Sequence, residues 1–370
     1  MAIKSKRLAF CREERMISGA PMLKACAVRL LSVLCFAGMA MSAGLALAAE
    51  TPQPASAEGE NRASVAFEDR VDAVAFAPSG RLLASGGADG AVKLWDPASG
   101  RLLRILGRHG GPVSSIAVSP NGRFVASGSL DASVKLWALP SGGLVRTFTG
   151  HAGDVSSVAF SPDGRAIASG GLDRAVRLWD AASGRLMQTF RGQRDAVVSL
   201  AFSPDGRFIA SGGDDRVVRL WRVASGRLTR TFAPQDGSVT AVAFSPDGRS
   251  IVSGDDGDGR PLRLWDAASG RRLRVFGGRA EGVSSVAFSP DGRSIVSGHW
   301  DAAIRLWSAA SGKLIRAYAG HAAEVSTVAF APDGRSIASA SWDGTLKLWG
   351  AASGALIRSF APPVLGLPRG

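Results

Sequence analysis

The chain has 370 residues, 46% of them hydrophobic and 20% charged, with a formal net charge of +13. Its length would hold two ordinary domains, and its apolar content is ample for a packed core. The three cysteines, Cys11, Cys26 and Cys35, all lie near the N-terminus, which excludes disulfides and thiolate metal sites from the remainder.

Residues 1–29 carry Lys4, Lys6, Arg7, Arg12, Arg15, Lys24 and Arg29 against Glu13 and Glu14, and an uncharged apolar stretch, 30–49, follows. A basic run, an apolar run and the small residues of Ala46-Leu47-Ala48-Ala49 are the parts of an export signal, expected over 1–49. The basic part is long, and Met22 is an alternative start. The rival is an uncleaved anchor, because about 20 apolar residues span a bilayer. Either reading puts the rest of the chain outside the cytoplasm, periplasmic or secreted. Lipidation is not expected at Cys26, which precedes the apolar stretch, or at Cys35, which follows Leu34 rather than a small residue. Residues 50–62 (ETPQPASAEGENR) are polar and proline-containing, as a disordered linker would be.

Beyond the linker, Trp95, Trp137, Trp179, Trp221, Trp265, Trp307 and Trp349 stand 42, 42, 42, 44, 42 and 42 residues apart. That period marks one supersecondary unit copied seven times. In the third unit, Val155–Phe160 is β-rich and ends at the turn Ser161-Pro162-Asp163-Gly164-Arg165. Residues 166–169 form a second expected strand, 175–179 a third and 186–190 a fourth, each bounded by Gly- or Asp-containing turns. One such meander cannot cover both of its apolar faces, but seven packed around an axis can. The expected fold class is all-β, a seven-bladed β-propeller of four-stranded antiparallel blades over 63–361, with 362–370 as a tail. Two strands compete for the outer edge of blade seven. Residues 356–360 keep the Leu-x-Arg-x-Phe pattern of the other outer strands, whereas 63–67 have lost it, so 356–360 is the expected occupant.

The recurring Gly-His (Gly150-His151, Gly320-His321) and Trp-Asp pairs (Trp95-Asp96, Trp179-Asp180, Trp265-Asp266) resemble the WD-repeat (WD40) propeller family. The resemblance implies a buried tetrad of His, Ser, Asp and Trp in each unit. Three sets are complete: His109, Ser127, Asp131 and Trp137; His151, Ser169, Asp173 and Trp179; His321, Ser339, Asp343 and Trp349. Unit one keeps Ser85, Asp89 and Trp95 without a clear His. Gln193, Gln235 and Arg279 stand at the His position of units four, five and six, so these units are expected to form the softer side of the ring. Unit five also gains two residues in Asp255-Asp256-Gly257-Asp258-Gly259-Arg260-Pro261. That run reads as an enlarged solvated hairpin, with a weak cation site as the alternative, because it lacks the ligand spacing of an EF-hand.

In a meander the first-to-second and third-to-fourth turns share one end. Here that end, the base, is repetitive and studded with Arg; the opposite end, the top, carries the variable loops. Just before the tetrad Asp, units six and seven place Trp300 and Trp342, the two tryptophans outside the main series. His299, Arg279, Glu281 and Glu324 belong to loops of the same end. Aromatic anchors among charges are what interface hot spots contain, so these six are the candidate partner-binding residues. The alternative is that each Trp covers a neighbouring hairpin.

Ser169, His151 and Asp173 mimic a nucleophile, base and acid, but the same trio recurs in three units, as core chemistry would and an active site would not. No phosphate-cradling glycine loop or His-Glu-x-x-His spacing occurs. No catalytic residue, metal or cofactor is therefore expected. Without residues 1–49 the charge falls to +8, from 37 Lys and Arg against 29 Asp and Glu, and no RNA-binding aromatic motif accompanies it. The expected function is a monomeric, non-enzymatic scaffold for protein partners. Acidic proteins or anionic envelope polymers suit its charge better than nucleic acid does, and a membrane enters only through an uncleaved anchor. The alternative is a hydrolase or lyase with a site in the propeller funnel.

Overall fold

The computed structural model describes residues 70–360 apart from 258, 260 and 278–280. The proposed signal, linker and tail, and the competing strand at 63–67, lie outside the described residues. All regular structure within them is β, in seven four-stranded antiparallel sheets, each built from four consecutive strands. Blade one comprises β1 (Val71–Phe76), β2 (Leu83–Gly87), β3 (Ala91–Trp95) and β4 (Leu102–Arg108). Blade three comprises β9 (Val155–Phe160), β10 (Ala166–Gly171), β11 (Val176–Asp180) and β12 (Leu186–Phe190). Its second strand runs two residues beyond the expected end, because pairing with β9 continues through a bulge at Gly170/Gly171.

The turns form for local reasons. Asp163 accepts hydrogen bonds from the Ser161 hydroxyl at 2.5 Å and the Arg165 N–H at 3.0 Å, and Gly164 takes a φ of 70°, a left-handed conformation that costs glycine nothing. The Asp-Gly pair thus fixes the hairpin and the register of the strands it joins.

The core lies between blades. Phe148 from the outer strand of blade two joins Val155, Val158, Ile167 and Trp179 of blade three in one buried cluster. The Phe148 and Trp179 rings are 5.8 Å apart, and the same pairing recurs at Phe190–Trp221, Phe232–Trp265 and Phe276–Trp307. Each second strand also approaches its neighbour closely: a Cβ on Gly170 would come within 2.5 Å of Val197.

Closure is made by blade seven, β25 (Val325–Phe330), β26 (Ser336–Ser341), β27 (Leu346–Gly350) and β28 (Leu356–Phe360). β28 is its outer strand, pairing Leu346 with Phe360, as the repeat pattern implies. Phe360 then packs edge-on against Trp95 of blade one at 5.9 Å. Ser326 of β25 donates to the Val71 carbonyl of β1 at 2.6 Å, and Arg358 donates to the Ser99 carbonyl at 3.1 Å. Blade seven therefore grips blade one at the inner strand, the core and the rim.

Candidate interaction surface

In blade three the Trp179 indole N–H donates to Ser169 Oγ at 2.8 Å, His151 Nε2 lies 2.7 Å from that oxygen, and Nδ1 lies 3.0 Å from Asp173. The acceptor-only carboxylate favours the proton on Nδ1, with Nε2 accepting from the Ser hydroxyl; in blade three the Arg177 guanidinium joins the same group, 2.7 Å from Nδ1 and 2.6 Å from Asp173. A directed relay runs from Trp through Ser and His to Asp. Blades two and seven repeat it through His109, Ser127, Asp131 and Trp137 and through His321, Ser339, Asp343 and Trp349. Burial raises the Asp131 carboxyl, but hydrogen bonds from Ser133 and Gly110 and the contact with His109 outweigh it and leave the group at about 2. Ser127, Ser169 and Ser339 are wholly buried, so these trios are closed to substrate. They brace the blade.

The other blades differ from the sequence expectation. In blade four Gln193 bridges the gap: its amide nitrogen bonds Ser211, its oxygen accepts from Arg219 at 2.5 Å, and Arg219 pairs with Asp215 at 2.6 Å. In blade five Ser253 donates to Gln235 at 3.1 Å, while Arg263 bonds Gln235 and pairs with Asp255 and Asp236. Asp255, read as part of a solvated hairpin, is fully buried; burial pushes its carboxyl up and Arg263 opposes the rise. Among the described residues no cluster of three or more His, Cys, Asp or Glu is arranged to hold a metal ion.

Blade six rebuilds its network from a different place. His299, expected at the partner face, is 1% exposed and points into the blade. Its Nε2 lies 2.8 Å from Ser297 Oγ, which also accepts the Trp307 indole N–H at 2.8 Å, and its Nδ1 lies 3.2 Å from the Glu281 carbonyl. Ser297 and His299 are two apart on one strand and share a face. The ring thus reaches the same Ser that a His in the preceding loop reaches elsewhere. Burial, and then the charge of Arg305, lower its pKa to about 4. His299 is therefore a core residue and cannot touch a partner. Blades four and six have substituted their networks rather than lost them, so a softer side does not follow from their sequences.

The top retains Trp300 and Trp342, both half-buried. The Trp300 N–H donates to the Gly282 carbonyl at 3.1 Å, and its indole lies so close to Gly282 that a Cβ there would sit 3.2 Å away. Trp342 donates its N–H to the Glu324 carbonyl at 3.0 Å, and the guanidinium of Arg70 lies 5.0 Å from its ring. Both indoles rest on neighbouring loops and keep part of their surface in solvent. Glu281 is exposed and Glu324 half-buried; Arg279 lies outside the described residues.

Two sets of residues that hold the ring together were not singled out in the sequence. Hydroxyls on first strands reach the next blade: Ser114 donates to Val155, Ser156 to Val197, Thr240 to Val283 and Ser284 to Val325. Outer-strand arginines clasp the next blade's last turn. Arg146 donates to the Ala182 carbonyl at 2.8 Å and Arg230 to Ser269 at 2.7 Å. A Cβ on Gly184 would come within 2.5 Å of Arg146, so that glycine is required by the clasp as well as by its φ of 80°. The Val-Ser-Ser and Leu-x-Arg-x-Phe repeats carried both signals.

A closed ring of seven antiparallel blades, each anchored by a Trp–Ser hydrogen bond, defines a β-propeller of the interaction-scaffold type. The WD domain, G-beta repeat family matches residues 63–96, 100–138, 142–180, 184–222, 226–266, 270–308 and 312–350, and the chain belongs to that WD40 family. Each complete match runs from one blade's outer strand to the next blade's third strand, which leaves β28 beyond the last match. A search of curated proteins found no match to the chain.

Proposed function

We propose that this WD40 propeller is an exported, non-enzymatic scaffold that holds a protein partner on its top face through Trp300 and Trp342, flanked by Glu281 and Glu324. The observation that carries the reading is the pair of half-buried indoles on the loops of blades six and seven, where blades one to five place Ala88, Leu130, Leu172, Asp214 and Asp256. Their lower faces rest on Gly282 and Arg70, so the rings are pre-ordered, and a partner covering them loses little side-chain entropy. The basic segment, the apolar stretch 30–49 and the small residues at its end support export, with the ring outside the cytoplasm.

Substitution of both Trp300 and Trp342 by Ala tests the binding reading. Capture of the partner from envelope extracts should be lost, with a cost of about 2 kcal/mol or more, while the melting temperature stays near wild type. Normal capture together with a lower melting temperature would show that the indoles only cover their hairpins. Export is tested by sequencing the mature N-terminus, expected near Ala49 or Glu50; a cytoplasmic chain that keeps residues 30–49 would refute it. Turnover in a panel of hydrolase substrates would refute the non-enzymatic reading.

A further inference from the structure

The two ends of the propeller differ in charge and in apolar exposure. Among the described residues, the base turns with their flanking strand ends and the lower parts of the outer strands hold 20 Arg or Lys against 8 Asp, whereas the remaining, upper residues hold 13 against 15 Asp or Glu. The base is strongly cationic and the top close to neutral. Charge peaks at blade four, where Arg222 stands at the position of Asp96, Asp180 and Asp266 in other blades. Arg207 and Arg222 flank the Phe208 ring at 5.9 and 5.3 Å, and Arg227 follows on the next turn, all three cations being exposed.

The second observation concerns apolar surface. Every large hydrophobic side chain that is well exposed among the described residues lies on an outer strand, and all but Ile105 fall within the first two residues after the base turn. Leu314 and Ile315 are 49% and 51% exposed, and Leu356 and Ile357 are 49% and 50% exposed. Lys313 immediately precedes the first of these pairs, and Arg185 precedes Leu186 and Met187 in the same way. The base is therefore edged by a collar of aliphatic side chains, and in five of the seven blades a cation ends the turn that leads into them.

We infer that the base docks on an anionic lipid bilayer. Cations alone would suit any polyanion, but a soluble polyanion has no use for the aliphatic collar. A bilayer meets both, with phosphate headgroups against the Arg and the headgroup–acyl boundary against the Leu, Ile and Met side chains. The upper end has neither the charge excess nor the collar. This surface is separate from Trp300 and Trp342, so docking would leave the top free for a partner.

The test uses the chain from Glu50, which keeps every strand and ring-closing contact of residues 70–360 and lacks the basic, apolar leader that would bind lipid by itself. It is sedimented with vesicles of phosphatidylcholine alone and of phosphatidylcholine with phosphatidylglycerol, at low and high salt, with soluble polyglutamate as competitor. Retention only on the anionic vesicles, weakened by salt, is expected. Arg222→Gln, Arg227→Gln and Lys313→Gln together should lower the partition by roughly a hundredfold, at about fivefold per cation. Leu314→Ser, Ile315→Ser, Leu356→Ser and Ile357→Ser together should lower it at least about tenfold. All seven positions are exposed, and an unchanged cooperative melt checks the fold. Absence of retention on anionic vesicles would overturn the inference. So would tight polyglutamate binding that abolishes retention and is indifferent to the aliphatic substitutions, since the base would then be a site for acidic polymers.

Discussion

His299→Ala separates a core histidine from a surface one. The substitution removes the 2.8 Å contact with Ser297 and the 3.2 Å contact with the Glu281 carbonyl, each worth about 1 kcal/mol. It also empties the space of a ring that is 1% exposed, so the total should be about 2 to 4 kcal/mol. For a ring of this size, that is a fall of roughly 4 to 8 °C in melting temperature. Acid adds a second signature. The folded pKa is about 4 against about 6.5 unfolded, so below pH 6.5 the unfolded chain takes up a proton that the folded chain refuses. The contribution of neutral His299 is complete above about pH 6.5 and declines by about 1.4 kcal/mol per unit as pH falls towards about 4. The gap between wild type and variant, read by urea melts from pH 7.5 to 4.5, should therefore narrow in acid. A variant that melts like wild type at pH 7.5, or a gap independent of pH, would refute the assignment.

Gln193→Ala and His151→Ala should destabilise by similar amounts, about 1 to 3 kcal/mol each, because Gln193 bridges Ser211 and Arg219 as His151 bridges Ser169 and Asp173; thermal melts showing Gln193→Ala unchanged would mean that the blade-four network has no energetic content. Deleting residues 355–370 removes β28 and uncovers Trp95, and should lower the melting temperature more than deleting residues 50–68; the reverse order would place closure at the N-terminal strand. Tyr318 donates its hydroxyl to the Ala351 carbonyl of blade seven at 2.7 Å, and burial raises its pKa to about 12. Tyr318→Phe should leave that carbonyl unpaired and cost about 1 kcal/mol, measured by urea unfolding at pH 7, and spectrophotometric titration of wild type should show this phenol ionising only above pH 11.

The architecture was legible because its signals are local and repeated seven times. Asp163-Gly164 fixes a turn by its own side chain and backbone, and Trp179 announces the third strand of its blade. Closure was legible for the same reason, since Leu356–Phe360 keeps the outer-strand pattern. What the sequence concealed depends on geometry across strands. His299 was read as a loop residue beside Trp300, although its spacing from Ser297 puts both on one face of a strand. Gln193 was read as a gap, although an amide offers a donor and an acceptor just as an imidazole does. Asp255 sits in a run of Asp and Gly that looks solvated, and only the placement of Arg263 on the adjacent strand shows why it is buried. The inter-blade grip of Arg146 and Ser156 was visible as a pattern, but its meaning required knowing which blade lies next.

In the proposed function, the top of this propeller is where a partner is held. A photocrosslinking residue placed at position 281, next to the Gly282 on which the Trp300 indole rests, and compared with one at position 165 on the base, tests it in the native cell envelope. A discrete protein adduct is expected from position 281, absent from position 165 and lost when Trp300→Ala and Trp342→Ala are added. Protein adducts from position 165 alone, or none from position 281 in a folded and exported chain, would contradict it.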